Sequence, residues 1–254
     1  MQKNDISLNG KVVIVTGATK GIGNGIAKSM AQAGANVVVV SRSQGDCDKV
    51  AQDLCGLGVQ ALPVAADVTK VASIQNVVDR TVDKFGCIDV LVNNAGAVLA
   101  RKAEDISEED WDKVINLDLK GAFFCAQIAG RKMIEQNRGK IINISSMWGL
   151  VAFKGFLPYC VAKGGILQMT RSLALEWARY DIQVNAICPG YILTALNEAE
   201  LTDEKIAPGL LRKIPAKRFG DVQDLVGAAL YLASDFSNYM TGAHMTIDGG
   251  WTIE

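Results

Sequence analysis

Histidine is nearly absent from this chain of 254 residues, and its scarcity limits the chemistry open to the protein. His244 is the only histidine, so zinc sites built on several histidines are excluded by count. We accordingly predict no bound metal. Any catalysis has to rely on other side chains.

Several other signals are missing as well. The six cysteines include no Cys-x-x-Cys pair, which favours reduced thiols in a cytoplasmic protein over a disulfide framework. Residues 1–10 are polar and lack the apolar stretch of a signal peptide, and no apolar run reaches the roughly 18 residues of a membrane span. A net charge of −1 gives no electrostatic support for binding nucleic acid or an anionic membrane. We therefore expect a cytoplasmic protein with neither of these partners.

What the chain does contain is a regular alternation of short apolar segments and longer helical patterns. Its content of 49% hydrophobic and 21% charged residues suits a large globular core. The apolar, β-branched segments predict seven strands, at 11–16, 35–41, 59–65, 88–92, 140–144, 182–187 and 244–247. Helical patterns lie between them, up to about 33, near 45–57, and at 70–85, 108–136, 158–177 and 222–233. This alternation predicts an α/β fold in one domain spanning residues 1–254, with a doubly wound parallel sheet between two layers of helices.

A glycine-rich turn joins the first predicted strand to the helix that follows it. The turn has the sequence Gly17-Ala18-Thr19-Lys20-Gly21-Ile22-Gly23. A strand, a glycine turn and a helix form the arrangement that binds dinucleotides, because glycines let backbone N–H groups approach a pyrophosphate at the positive end of the helix. The spacing differs from the commonest G-x-G-x-x-G fingerprint, so a turn with a purely structural role is the alternative.

Tyr159 and Lys163 stand four residues apart near the start of a predicted helix, so their side chains project from the same face. An ammonium group beside a phenol favours the phenolate and lowers the pKa of the tyrosine from its usual value of about 10. Such a pair could exchange a proton with a substrate near neutral pH. The alternative is an amphipathic helix whose tyrosine packs and whose lysine extends to solvent.

Five motifs, taken in their order along the chain, identify it as similar to the short-chain dehydrogenase/reductase family. They are Thr16-Gly17-x-x-x-Gly21-Ile22-Gly23, Asn93-Asn94-Ala95-Gly96, Ser146, Tyr159-x-x-x-Lys163 and Pro189-Gly190. The resemblance extends from about residue 8 to Gly250. It implies a Rossmann-type fold with strand order 3-2-1-4-5-6-7 and a nicotinamide cofactor along the carboxyl ends of the strands.

The resemblance also implies roles for four catalytic residues. Tyr159 matches the family's general acid/base, and Lys163 matches the residue that lowers its pKa and binds the nicotinamide ribose. Ser146 matches the serine that hydrogen-bonds the substrate oxygen, where charge develops during hydride transfer, whereas Ser145 is expected to be structural. Asn116 matches the asparagine that holds a water-mediated proton path to the lysine.

Further residues match positions that hold the cofactor in the family. The glycine turn corresponds to the loop that binds the pyrophosphate and the adenosine phosphate. The segments after the third and fourth strands correspond to the adenine and ribose contacts, and the Pro-Gly motif opens the loop on the nicotinamide side. The expected cofactor-binding residues are Gly17, Thr19, Lys20, Gly21, Ile22, Asp67, Val68, Asn93, Ala95, Gly96, Pro189, Gly190, Ile192 and Thr194, together with Tyr159 and Lys163.

The end of the second strand bears on which nicotinamide cofactor the chain uses. Family members that prefer NAD(H) place an aspartate there, which accepts a hydrogen bond from the ribose 2′-hydroxyl. This chain has Ser41 followed by Arg42, and Lys20 lies in the glycine turn. Two cations without a carboxylate suit a 2′-phosphate, which arginine can bind bidentately, so we predict a preference for NADP(H) over NAD(H). The alternative is that both cations are solvated surface charges.

The expected substrate is a small-molecule carbonyl compound or alcohol, held by residues 147–157 and 191–216 as in the family. The first segment contains Trp148, Phe153 and Phe156, which suit a carbon-rich ketone. The C-terminal half resembles both the 3-oxoacyl-carrier-protein reductases and the gluconate 5-dehydrogenases, so an acyl thioester and a sugar acid are alternatives. A dinucleotide-binding sensor without turnover is the non-enzymatic alternative, although such members usually lose the tyrosine or the lysine.

The resemblance has two consequences for partners. Carrier-protein reductases tend to place arginines where this chain has Asn137 and Tyr180, which leaves docking of an acyl carrier protein open. Family members commonly form tetramers through the long helix, the Tyr159 helix and the last strand. The apolar segment 241–251 is consistent with such contacts, and internal core is the alternative for it. We expect a homotetramer.

Overall fold

The computed structural model describes residues 6–195 and 197–253. Its centre is a parallel sheet in the order β3-β2-β1-β4-β5-β6-β7, which confirms the predicted fold class and strand order. The two ends of the predicted 1–254 domain, and residue 196 of the predicted substrate segment, lie outside the described residues. The strands are β1 (Val12–Thr16), β2 (Asn36–Ser41), β3 (Ala61–Ala65), β4 (Val90–Asn93), β5 (Gly139–Ile144), β6 (Ile182–Pro189) and β7 (His244–Ile247).

Helices cover both faces of this sheet. Among the described helices, none combines the length and the apolar character that crossing a membrane would require. The α-helices are α1 (Gly21–Gln32), α2 (Gln44–Cys55), α3 (Val71–Phe85), α4 (Glu108–Ile115), α5 (Ala122–Gln136), α6 (Leu157–Trp177), α7 (Glu198–Leu201), α8 (Ala207–Arg212) and α9 (Gln223–Ala233).

The central strands are buried on both sides because their residues alternate between two hydrophobic cores. Val13 and Val15 of β1 pack in one core with residues of α1 and α9. Ile14 packs in the other core with residues of α3 and α5. An unbroken run of branched apolar side chains therefore suits a strand that has a helix layer on each side.

Prediction and structure differ most in the helix expected over 108–136. Its start agrees with the prediction, because the Ser107 hydroxyl accepts the Asp110 N–H (3.1 Å) and the Asp110 carboxylate accepts the Ser107 N–H (3.3 Å). The helix is not uniform, however, since the wider turns of a π-helix occupy Asn116–Gly121 between α4 and α5. A periodic apolar pattern does not reveal such a local change in pitch.

Smaller differences concern the ends of elements. β3 begins at Ala61 rather than at 59, and β6 extends to Pro189 rather than ending at 187. The last long helix begins at Gln223, and the Asp221 carboxylate accepts the Gln223 N–H (2.7 Å). Such shifts occur where the apolar pattern weakens and local hydrogen bonds decide where an element begins or ends.

The carboxyl ends of the strands gather the motifs that the sequence analysis singled out. The glycine turn follows β1, Asn94 follows β4, Ser146 follows β5 and Gly190 follows β6. Ligands of open α/β sheets bind at this edge. The topology therefore places distant motifs around one groove.

Candidate active site

The centre of the site lies where the end of β5 meets the first turns of α6. The Lys163 ammonium donates a hydrogen bond to the main-chain oxygen of Ile144, the last residue of β5 (3.1 Å). The same ammonium lies 5.4 Å from the centroid of the Tyr159 ring, one turn earlier in the helix. Lys163 is only 4% exposed. The structure therefore brings the predicted phenol and ammonium together, and the ammonium is withdrawn from solvent.

Two serines follow β5, and their contacts differ. The Ser145 hydroxyl donates to the main-chain oxygen of Lys163 (2.8 Å) and so ties β5 to α6. The Ser146 oxygen accepts the Trp148 N–H (3.1 Å), which leaves its own proton for another acceptor. Ser146 is also a hydrogen-bonding neighbour of the Tyr159 phenol. The serine beside the phenol is thus the one that the family spacing selected.

The surroundings act on the two titratable groups in different ways. Burial raises the pKa of Tyr159; the Lys163 ammonium opposes this rise, the Asp118 carboxylate adds to it, and the net effect is a raised pKa. Burial also disfavours the charged form of Lys163, but attraction to Asp118 and Tyr159 outweighs it, so the pKa of Lys163 is raised. Lys163 therefore lowers the pKa of Tyr159, as predicted, but burial raises this pKa by more.

Asp118 is the carboxylate partner of Lys163, and this pairing was not predicted from the sequence. Its Oδ2 lies 3.1 Å from Lys163 Nζ, and its Oδ1 accepts the Ala97 N–H (2.8 Å). Asn116, expected to serve the lysine, lies two residues earlier, and no hydrogen bond joins its side chain to Lys163 among the described residues. A signal was present in the sequence, because a charged residue between two leucines is unusual on the buried side of a helix.

The glycine turn fits the phosphates of a dinucleotide. Gly17 and Gly21 have φ angles of +66° and +52°, which side chains rarely permit. A Cβ on Gly23 would collide with the main-chain oxygen of Gly17. Helix α1 has neither a side-chain cap nor an acidic residue in its first turn, so its N-terminal N–H groups remain open to an anion. Within the turn, Thr19 is half-buried.

Hydrogen bonds after β4 fix this turn against the sheet. The Asn94 amide donates to the main-chain oxygens of Thr16 and Gly17 (2.9 and 3.2 Å). In return, the Thr16 hydroxyl oxygen accepts the N–H groups of Asn94 and Ala95 (3.0 and 3.1 Å). Asn93 is buried, and its amide donates to groups inside the protein. The motif at the end of β4 therefore supports the glycine turn.

The loop after β6 faces the glycine turn across the groove. A Cβ on Gly21 would lie 3.5 Å from the Thr194 methyl group, so the two segments are neighbours. The Thr194 N–H and hydroxyl both donate to the Asn197 side-chain oxygen (2.8 and 3.1 Å). Ile192 is buried and forms an isolated parallel bridge with Gly220. These contacts hold the loop in place.

The residues expected to select the cofactor lie at the end of β2 and in the glycine turn. Arg42 and Lys20 are exposed, and neither forms an ion pair among the described residues. Ser41 is half-buried, and its hydroxyl donates to the main chain two residues on (3.4 Å). The Asp67 carboxylate accepts the Thr69 N–H and hydroxyl (3.0 and 2.8 Å). Hydrogen bonds from Thr69 and the nearby cations of Lys70 and Arg42 hold the pKa of Asp67 below its usual value.

An aromatic wall, defined by Trp148, Phe153, Phe156, Tyr191 and Trp251, stands beside the phenol of Tyr159. Trp148 stacks on Phe153 (centroids 4.6 Å apart) and meets the Tyr159 ring edge to face (6.0 Å). Tyr191 and Trp251 join the wall with centroids 5.1 Å apart. The indole nitrogen of Trp148 is buried and has no hydrogen-bond partner among the described residues. From the sequence, Trp251 belonged to a segment that suited either an oligomer contact or the internal core, and its place in this wall was not predicted.

Known proteins of similar sequence and structure span almost the whole chain. A family model described as enoyl-(acyl carrier protein) reductase matches residues 17–252. A 2-dehydro-3-deoxy-D-gluconate 5-dehydrogenase of Escherichia coli K12 is 41% identical over 249 residues, which are 96% of each chain. An NAD-dependent glycerol dehydrogenase of Listeria innocua is 41% identical over 98% of this chain and 97% of its own. A gluconate 5-dehydrogenase of Burkholderia cenocepacia, solved in complex with NADP and tartrate, is similar with a TM-score of 0.94 at 35% identity over 98% of both chains.

Proposed function

Since this chain belongs to the short-chain dehydrogenase/reductase family and is an NAD(P)-dependent oxidoreductase, we propose that it interconverts a ketone and a secondary alcohol with Tyr159 as general acid/base. The observation that carries this proposal is the pairing of Tyr159 with the buried ammonium of Lys163, next to Ser146. Every group in this pairing comes from one parallel sheet and its helices. That common origin supports one domain for cofactor binding and catalysis.

The three side chains divide the work on the substrate oxygen. In ketone reduction, the Tyr159 phenol donates its proton to the oxygen, and the Lys163 ammonium stabilises the phenolate that remains. Ser146 donates a second hydrogen bond to the same oxygen, where negative charge develops. In alcohol oxidation, the phenolate accepts the proton. The bound nicotinamide cofactor supplies or accepts the hydride.

The groove residues would hold that cofactor in a defined order. The glycine turn and the open N-terminus of α1 suit the pyrophosphate. The adenosine and its ribose would be faced by Asp67, Val68, Asn93, Ala95 and Gly96. The nicotinamide would be faced by the loop from Pro189 to Thr194.

We further propose that NADP(H) is preferred over NAD(H). Arg42 and Lys20 are exposed and unpaired among the described residues, and Ser41 provides no carboxylate to repel a phosphate. The Burkholderia relative was solved with NADP, whereas the Listeria relative is named as NAD-dependent. Relatives therefore use both cofactors, and the charges at the end of β2 are the support in this chain.

The aromatic wall supports a carbon-rich ketone as substrate. Trp148 of this wall meets the Tyr159 ring edge to face, and the Tyr159 phenol must contact the reacting oxygen. A flat apolar group gains favourable contacts against such rings. A polyol would exchange its hydrogen bonds with water for contacts with ring carbons, which is unfavourable. We therefore propose a ketone that carries an apolar ring or chain beside the carbonyl.

A sugar acid is the second candidate, and a cation at the rim of the wall favours it. The Lys213 ammonium lies 5.8 Å from the Trp251 ring, where it could bind a carboxylate. The relatives named as gluconate-type dehydrogenases agree with this candidate. A 3-oxoacyl thioester remains a third candidate through the carrier-protein description of the family model.

Initial rates of NADPH oxidation with a substrate panel test these proposals. The panel should contain aryl and cyclic ketones, keto sugar acids and 3-oxoacyl thioesters, with Tyr159→Phe as the inactive control. We expect kcat/KM to be at least about tenfold higher for the apolar ketones, an advantage of about 1.4 kcal/mol in transition-state binding. Trp251→Ala should remove that advantage, whereas Lys213→Ala should affect only sugar acids. Tight NADPH binding without turnover of any panel member would support a sensor instead.

We also propose that the enzyme is a cytoplasmic homotetramer. The six free cysteines support a reducing compartment. Exposed apolar residues support assembly: Leu175 on α6 is 84% exposed, and Ile253 at the C-terminus is 86% exposed. Light scattering at micromolar concentration should give the mass of four chains. A monomeric mass would refute the tetramer.

A further inference from the structure

We propose that Asp118 is a positioning residue that holds the Lys163 ammonium in the site and sets the pH at which the Tyr159–Lys163 pair gives up its first proton. The proposal rests on the proposed function, because it assigns a regulator to the same acid/base pair. It does not depend on which ketone is the substrate.

The ion pair is enclosed and fixed from both sides. Asp118 is 1% exposed and Lys163 is 4% exposed, and Oδ2 lies 3.1 Å from Nζ. The other carboxylate oxygen accepts the Ala97 N–H (2.8 Å), while the ammonium also donates to the main chain of Ile144 (3.1 Å). The carboxylate and the ammonium each keep a main-chain bond, so their separation is set by the fold.

The surrounding backbone leaves room for this pair and for little else. A Cβ on Gly96 would lie 2.7 Å from Asp118 Oδ2 and 3.3 Å from Lys163 Nζ. A Cβ on Gly121, at the end of the π-helical segment, would lie 2.7 Å from the main-chain oxygen of Val68. The π-helical segment therefore packs closely on the turn after β3 while it directs Asp118 toward Lys163. π-Helical turns inside α-helices are frequent at functional sites.

The charges that reach the phenol come from few groups. On α6, the Lys163 ammonium and the Cys160 thiol face the Tyr159 phenol. On the π-helical segment, the Asp118 carboxylate faces it. The thiol of Cys188 on β6 faces the ammonium, and burial raises the pKa of Cys188 to about 11, so this group stays neutral in the working range. Asp118 is thus the one anion that balances Lys163 among the described groups at neutral pH.

The consequence for proton exchange follows from charge balance. With Asp118 ionised, loss of one proton from the Tyr159–Lys163 pair leaves a net negative charge in a buried site. Without that carboxylate, the same loss leaves the site neutral and is easier, whichever of the two groups releases the proton. Removing the anion therefore lowers the first apparent pKa of the pair. It also leaves the buried ammonium without its partner, which weakens the fold.

The test compares Asp118→Asn with wild type in the direction of alcohol oxidation. Asparagine keeps an oxygen for the Ala97 N–H and removes the charge. We expect the acidic limb of the kcat/KM profile to move by about one pH unit or more toward low pH. If Asp118→Asn does not fold, Gly96→Ala can take its place. This variant displaces the carboxylate instead of deleting it, and it should move the acidic limb in the same direction. The proposal would be overturned if Asp118→Asn had a lower melting temperature but an acidic limb that coincides with that of wild type.

Asp89→Asn is the matched control. The Asp89 carboxylate is also buried, accepts the Val12 N–H (2.9 Å) and lies 3.4 Å from the Arg138 guanidinium, but it sits before β4 at the opposite edge of the sheet. Its loss should lower the melting temperature without moving the pH profile. A shift of equal size in Asp89→Asn would show that the profile reports general destabilisation and would overturn the proposal.

A second measurement separates this inference from the proposed function. Ultraviolet absorbance of tyrosinate can be titrated in the protein without substrate, and the signal missing from Tyr159→Phe belongs to Tyr159. Asp118→Asn should lower the pH at which this signal appears, and an unchanged pH would overturn the proposal. If the titration shifts but no panel substrate is turned over, the ion-pair inference stands and the proposed function fails. If turnover is found and the titration does not shift, the reverse holds.

Discussion

The two ends of the proposed cofactor groove are built in opposite ways. At the catalytic centre, Asp118, Ser146 and Lys163 are all less than a tenth exposed, and each is held by at least one hydrogen bond to the main chain. At the adenosine end, Arg42 and Lys20 are exposed and form no ion pair among the described residues. The groups at one end are held by bonds within the protein. The other end offers exposed charges that no ion pair holds among the described residues, and we expect these charges to adapt to a ligand.

This difference separates two tasks that need different environments. Proton transfer requires groups at fixed distances in a site with little water, where electrostatic interactions are strong. Selection between NADP(H) and NAD(H) requires only a difference in affinity for one phosphate, which exposed cations can supply. We therefore expect substitutions at the catalytic centre to lower kcat with both cofactors. Substitutions at the adenosine end should change the affinity for one cofactor and leave the chemistry intact.

The largest effect is expected from Tyr159→Phe. Phenylalanine keeps the ring that packs against Trp148 and removes the proton donor, so kcat should fall by at least about a thousandfold. NADPH affinity should change little, as fluorescence titration can check. Retention of more than about a tenth of kcat would mean that another group transfers the proton.

Ser146→Ala should have the next largest effect, with Ser145→Ala as its control. Removing a donor to a developing oxyanion lowers kcat by about a hundred- to a thousandfold. Ser145 instead donates to the Lys163 main chain (2.8 Å), so its loss should lower stability by about 1 kcal/mol and kcat only slightly. Stopped-flow rates and thermal melts of both variants would decide. Equal losses of kcat would contradict the assignment of the substrate oxygen to Ser146.

The comparison of the two ends also explains which parts could be predicted from the sequence. Strands such as β1 are unbroken runs of branched apolar residues, so the composition of each segment already indicates its place in a buried parallel sheet. Glycines with positive φ angles mark the dinucleotide turn because few other residues adopt that backbone. Local sequence was sufficient in both cases, since a local physical requirement selects the residues.

The contacts of Asp118 could not be predicted in this way. They depend on a π-helical segment inside a stretch with an ordinary helical pattern, and on tertiary contacts with Ala97 and Lys163. The expected role of Asn116, a water-mediated path to Lys163, is a separate prediction and does not indicate this carboxylate. Trp251 was missed for a similar reason, because only the folded chain brings the C-terminal turn against Tyr191 and Phe153.

At the adenosine end, Arg42→Ala should weaken NADPH binding by about ten- to a hundredfold. A charge-assisted hydrogen bond to phosphate contributes about 1.5–3 kcal/mol, and NADH lacks that phosphate. Adding Ser41→Asp to this variant should invert the preference, because the carboxylate accepts the 2′-hydroxyl and repels a 2′-phosphate. The measurement is kcat/KM for both cofactors in the three proteins. If Arg42→Ala weakens both cofactors equally, Arg42 is a surface charge without a role in selection.

The smallest effect is expected from salt, and it distinguishes the two ends without any substitution. Raising the ionic strength from about 0.05 to about 0.5 M shortens the screening length to a few ångströms. Exposed charges lose part of their attraction under these conditions, by no more than about 1 kcal/mol. KM for NADPH should therefore rise by up to about fivefold, whereas KM for NADH should change much less because NADH lacks the 2′-phosphate that Arg42 and Lys20 would bind. The buried pair of Asp118 and Lys163 is shielded from ions, so kcat and the acidic limb of the pH profile should not move. A parallel loss of kcat would mean that salt reaches the catalytic centre, and the proposed division between a fixed end and an adaptable end would then be wrong.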